Sequence, residues 1–290
     1  MKSYFLIFLI LLVSFVWSSD NPKEVLKKQV PFGHEKSLKV SVSFGNGSIY
    51  MSKITSNNIF EGEFVYEHYR PQIHYEVVGK EGHLEVFFYG KVKKGGKERG
   101  SHHISSLKKI YDNKLQLNIS DKIPLDLNLE LGVVKGTLDL SGLMLRNLDL
   151  EIGVCKTSII FDEPNPISLE HCSIEGGVGN LIIVKLGNAN VENFRFEGGV
   201  GSYELDFTGE YRQNISAEIE MGMGKLTLYL PRYVGTRIKV EKSFLSSFSI
   251  DECYKKSNYY YNDKWEKTPY QLDIEVNTGV GKVEVIWEDI

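Results

Sequence analysis

Residues 172–184, CSIEGGVGNLIIV, and residues 194–207, FRFEGGVGSYELDF, are two copies of one pattern: an alternating apolar stretch, a glycine-centred turn, and a second alternating stretch. Four further copies are recognisable. LNLELGVVKGTLDL is centred on Gly132, LDLEIGVCKTSII on Gly153, AEIEMGMGKLTLYL on Gly222 and LDIEVNTGVGKVEVIW on Gly279, while Gly177 and Gly199 centre the first two. Between Gly132 and Gly222 the reference glycines return every 21 to 24 residues, a period typical of repeat architectures.

Each copy predicts two short strands of period 2, with Leu, Ile, Val and Phe on one face and polar residues on the other. One such unit cannot bury its apolar face alone. Stacked as rungs about 4.8 Å apart, successive copies would form a continuous apolar column and satisfy backbone hydrogen bonds from coil to coil. Glycine suits the corners, where the chain needs positive φ or close backbone approach. The expected fold is all-β, a single-stranded β-helix or β-solenoid of stacked coils of roughly 22 residues.

The rest of the chain is organised around that array. Lys2, the apolar run Tyr4 to Trp17 and the Val16-Trp17-Ser18 site predict a signal peptide over 1–18. No later run approaches the length of a membrane-spanning helix, so no integral membrane segment is expected after cleavage. Residues 19–122 read as a strand-rich N-terminal region. Within it, Leu38 to Tyr50 looks like a divergent first rung, Phe64 to Tyr89 a hairpin about Gly79 to Gly82, 91–103 a basic loop and 105–111 a helical turn. Residues 123–290 read as the solenoid, interrupted by a tyrosine-rich insertion over 251–269.

The stretch from Ile123 to Val154, the EGGVG of Glu175 to Gly179 and of Glu197 to Gly201, and the segment ending at Pro231 together resemble the LiaF-like or toast-rack group of bacterial envelope proteins. Relatives in that group are often labelled adhesins, and some modulate envelope-stress signalling. The resemblance implies a right-handed solenoid and a place in the cell envelope. It also departs from the signalling members, whose transmembrane helices have no counterpart here.

Composition excludes some functions. In 290 residues, 42% hydrophobic and 25% charged, the net charge is −4, which offers no clustered basic surface for nucleic acid. Cys155, Cys172 and Cys253 are too few and too widely spaced for a disulfide scaffold or a four-ligand zinc site; burial is the favoured reading, with a bond between Cys155 and Cys172 left open. The Gly176 to Gly179 run has no following helix or Lys-Ser/Thr end, so turn geometry rather than phosphate binding accounts for it. His102 and His103 read as surface residues of the basic loop. No cofactor or metal is implied.

Two surface features remain. Glu130, Glu151, Glu175, Glu197 and Glu220 each stand two positions before a reference glycine, with Glu275 expected to be equivalent in the last copy, so stacking would make a carboxylate ladder. Lys135, Lys156, Lys225 and Lys282, three positions after their glycines, would trim that surface, the alternative being a divalent cation or cationic ligand bridging the ladder. Tyr259, Tyr260, Tyr261 and Trp265, with Tyr254 and Tyr270 nearby, are expected either to cap an open end of the stack or to bind sugars or proteins. Asp139 and Asp206 occupy equivalent positions about three rungs apart, too far for the 5 to 9.5 Å of a glycosidase pair. The resulting expectation is a non-enzymatic exported protein of the periplasm, cell surface or surroundings. It would be a scaffold or adhesin-like surface for an unknown envelope protein or polysaccharide, with self-association through an uncovered end also open. A soluble regulator of envelope stress and a carbohydrate-active enzyme are the alternatives.

Overall fold

The computed structural model describes residues 23–67, 69–88 and 113–289. The predicted signal peptide, the basic loop 91–103 with His102 and His103, and the turn expected at 105–111 lie outside them. In chain order the first strands are β1 (Glu24–Pro31), β2 (Ser37–Lys53), β3 (Asn58–Tyr66), β4 (Gln72–Val78), β5 (Glu81–Phe88) and β6 (Lys114–Ile119). Then come the long strands β7 (Leu125–Asp139), β8 (Leu145–Ile160), β9 (His171–Val184), β10 (Asn193–Asp206) and β11 (Ile215–Pro231). The chain ends with β12 (Gly235–Lys242), β13 (Ser246–Ser249), β14 (Tyr254–Lys256), β15 (Tyr259–Tyr261) and β16 (Gln271–Glu288). All sixteen belong to one open sheet.

The spine of that sheet is parallel and in register, in the order β2-β7-β8-β9-β10-β11-β16. Leu38 to Tyr50, read as a divergent first rung, lies in β2 and pairs with β7 along both halves. Each copy is one bent strand rather than two strands joined by a turn. In β10, Phe194, Phe196 and Gly198 face inward before the corner, and Tyr203 and Leu205 after it. The inward parity therefore changes across Gly199, leaving Gly199 and Val200 both on the outer side, which bends the strand as a bulge does.

Glycine at the corner is required by crowding between rungs. A Cβ on Gly199 would stand 2.2 Å from the carbonyl oxygen of Gly177 in the rung before. In the next rung, two positions after its corner glycine Gly222, Gly224 combines such an approach, 1.9 Å from the oxygen of Gly201, with φ of +132°. The inward rows merge into one apolar core from Leu38 to Val285. On the returning side, buried Asn188 donates through Nδ2 to the carbonyl of Phe161 at 2.7 Å and buried Asn262 to that of Val234 at 2.7 Å, tying loops to neighbouring rungs.

Both ends of the spine carry a rung made of two short pieces. β2 pairs with β5 along its first half and with β6 along its second. β16 pairs in the same way with β12 and then β13. The end rungs are covered in turn by antiparallel strands, as exposed edges require: β3 and β1 beyond β6, β4 beyond β5, and β15 and β14 beyond β12. The predicted hairpin is shorter than expected. It consists of β4 and β5, while Phe64 to Tyr66 belong to β3 and pair with β1 and β6.

Candidate functional site

The five carboxylates stack as their spacing predicted. Glu130 is opposite Glu151, Glu151 opposite Glu175, Glu175 opposite Glu197, and Glu197 opposite Glu220. The next position is Asn277, not Glu275. β16 aligns Glu275 with Glu218, because the corner glycine Gly279 sits two residues after Asn277. The row borders a groove of about 1010 Å³ floored by the corner glycines. Immediately beyond the floor, Val154, Val178, Val200 and Met223 form an exposed apolar row.

Two of the four lysines turn away from the ladder. Lys225 and Lys282 both turn to Glu284, each at 3.0 Å. Within the row, Glu197 receives Arg195 Nε at 2.8 Å and Glu130 receives the Ser43 hydroxyl at 3.2 Å. Glu151, Glu175 and Glu220 have no hydrogen-bond or ion-pair partner among the described residues. Nor do three or more His, Cys, Asp or Glu side chains converge as a metal site among those residues, since the carboxylates are spread along the stack.

The insertion's aromatic residues pack on one another and on the last rung. β15 pairs antiparallel with β12 and with β14. Tyr261 stacks on Tyr254 at 5.2 Å and meets Trp265 edge-on at 5.9 Å, while Tyr260 packs on Phe248 at 4.9 Å. The Arg237 guanidinium lies 5.0 Å from the Tyr259 ring centre and 4.9 Å from that of Trp265, and is held by Asp273 through Nε at 2.7 Å. This arrangement covers the edge of β12.

Other candidates have structural roles. Asp139 accepts the backbone N–H of Ser141, and Asp206 those of Thr208 and Lys185, so each closes a turn. Cys155 and Cys172 are buried free thiols. The exposed His171 pairs with Asp149 at 2.9 Å. A second cavity, lined by Tyr211, Tyr229, Tyr233 and Tyr270, brings together residues from separate loops and strands. Only Tyr270 belonged to a cluster visible in the sequence, because the others are spaced by tertiary folding rather than by the repeat.

Parallel, in-register rungs with a polar outer row and a continuous apolar interior define a β-solenoid. The family model for the N-terminal domain of toast_rack, DUF2154, matches residues 19–184, more than half of the chain, and the protein belongs to that family. No curated protein matches it. Among solved structures it is similar to a "putative cell adhesion protein" of Clostridium sporogenes, at 23% identity, 92% coverage of this chain, 100% of that one and a TM-score of 0.46. It is also similar to a "putative adhesin" of Bacteroides fragilis, at 12% identity, coverage of 92% and 99% and a TM-score of 0.37. Among the described residues no helix is long and apolar enough to cross a membrane.

Proposed function

We propose that the chain is an exported, non-enzymatic cell-envelope protein whose right-handed stack, with coils of about 22 residues, serves as a rigid, adhesin-like interaction surface. The observation that carries this reading is the groove beside the ladder, where Glu151, Glu175 and Glu220 have no hydrogen-bond or ion-pair partner among the described residues, Glu220 feeling only the more distant charge of Arg195. Like charges held about 4.8 Å apart in water repel by roughly 0.9 kcal/mol per pair. A ladder kept at that cost suits an extended envelope polymer or protein segment that offers amines or hydroxyls at a regular interval. Periplasm and cell surface both fit this role.

The test is co-sedimentation of residues 19–290 with isolated envelope and with purified envelope polysaccharides, alongside a Glu151→Gln, Glu175→Gln, Glu197→Gln variant. Retention of the parent protein and its loss in the variant are expected. Equal retention of both, or retention of neither, would overturn the groove as the binding surface.

A further inference from the structure

The tyrosine-lined cavity has a volume of about 880 Å³, within the range of small-molecule sites. It lies where the ends of β9, β10 and β11 meet the segments that follow β10 and β11 and the one that precedes β16. Two of its rings are anchored. The Tyr233 hydroxyl donates to the Gly209 carbonyl at 2.8 Å and accepts that residue's N–H at 2.9 Å, and the Tyr211 hydroxyl donates to the Phe207 carbonyl at 2.8 Å. The hydroxyls of Tyr229 and Tyr270 have no hydrogen-bond partner among the described residues, and Tyr270 is 38% exposed. None of the four rings is in contact with another aromatic ring among those residues, in contrast to the cap around Trp265.

The charges of the lining are unequal. Asp206, Glu210, Glu288 and Asp289 face one ammonium, Lys185, whose Nζ is drawn away to Asp162 at 2.8 Å. Arg212 bonds Glu210 at 3.0 Å, and Arg232 approaches Asp289 at 3.5 Å. Asp206 takes only backbone N–H groups, and the Glu288 side chain has no hydrogen-bond or ion-pair partner among the described residues. The Tyr229 phenol has its pKa raised by burial first and then by Glu204, against the opposing charge of Lys225, with Glu288 adding a smaller raise.

These features select among ligands. An anion would meet the Glu288 carboxylate, which has no ion-pair partner among the described residues. A neutral apolar molecule would strip water from Glu288 and from two free hydroxyls without replacing it. A cation on an apolar body satisfies both parts of the lining, by attraction to phenol faces and to the carboxylates beside them. We propose that this cavity binds an organic cation, an alkylammonium group carried on a compact apolar frame. The proposal is independent of the groove.

Choline and its neutral isostere, 3,3-dimethylbutan-1-ol, provide the decisive pair of probes, with methyl glucoside as a sugar. Calorimetric titration of residues 19–290 should show saturable choline binding, the isostere weaker by about tenfold or more, and no response to the glucoside. Tyr270→Ala and Glu288→Gln should each weaken choline by about fivefold while leaving the unfolding midpoint and the envelope co-sedimentation unchanged. Equal binding of the isostere would mean a merely apolar cavity, and binding of the glucoside instead of choline a sugar site. Either result, no saturation by choline, or variants that bind choline like the parent would overturn the proposal.

Discussion

The Tyr203 hydroxyl donates to the carbonyl oxygen of Gly176, one rung away, at 3.0 Å. Gly176 and Gly198 occupy the inward row that Leu131, Ile152 and Met221 fill in other rungs. The Tyr203 ring takes the space of the two missing side chains. A Cβ on Gly198 would lie 2.6 Å from its Cε2, and one on Gly176 3.3 Å from its Cε1. The first glycine of each EGGVG thus accommodates Tyr203, and only the second makes the corner. Tyr203→Ala should cost about 3–5 kcal/mol of unfolding free energy and Tyr203→Phe about 1 kcal/mol. Gly198→Ala should destabilise the parent but far less the Tyr203→Ala background, a coupling that denaturant unfolding of the four-protein cycle would measure.

At the corner itself the obstacle is backbone, which cannot rotate out of the way as a side chain can. Gly199→Ala places a methyl against the Gly177 carbonyl and should cost about 3 kcal/mol or abolish folding. Thermal unfolding of that variant beside Val200→Ala, an exposed neighbour expected to change stability by less than about 0.5 kcal/mol, isolates the corner.

Asp126 ties the start of β7 to that of β8. Burial would raise its pKa, but hydrogen bonds from Arg146 and from Asn147, the latter at 2.7 Å, outweigh burial and hold the carboxyl below its ordinary value. A carboxyl lowered by folding stabilises the protein above its unfolded pKa of about 3.9, and that contribution is lost as pH falls through the lower folded value. Asp126→Asn should therefore cost about 2 kcal/mol at neutral pH, and the gap to the parent should close below about pH 4 in urea titrations.

The thiols should report folding. Burial pushes Cys155 up to about 11 and Cys172 higher still, and raises Cys253 to a smaller extent. Because the thiolate is the reactive form, an aromatic disulfide reagent at pH 8 should label only half-exposed Cys253 in the native protein, and slowly. All three should react in denaturant. Failure of Cys155 and Cys172 to react there without reductant would reveal a bond between them.

If the ladder repels itself, Glu175→Gln should leave stability unchanged or raise it by up to about 1 kcal/mol at low ionic strength, the gain shrinking as salt screens the row. A clear loss of stability on this substitution, followed by thermal unfolding at two salt concentrations, would show that the carboxylate has a structural partner.

Periodicity is local information, and what followed from it was readable in the residues: corner glycines at 132, 153, 177, 199, 222 and 279, alternating inward rows, and carboxylates brought into line two residues before the corners. Glu275 shows the limit of matching by residue type, since it stands four positions before Gly279, and Asn277, two positions before that glycine, fills the ladder position in β16. The order of stacking is another matter, because similar rungs are complementary to one another and the pattern does not say which will meet. β16 inserts between β11 and β12, although β12 follows β11 in the chain. Its full length matches β11 residue for residue from Ile215–Leu272 to Pro231–Glu288, apart from the corner, whereas β12 and β13 offer two short pieces fit for an end. The same long-range choice sets Tyr270 near Tyr211, Tyr229 and Tyr233, and carries the ring of Tyr203 into the space left at Gly176. Both depend on contacts between rungs, which only the assembled stack brings together.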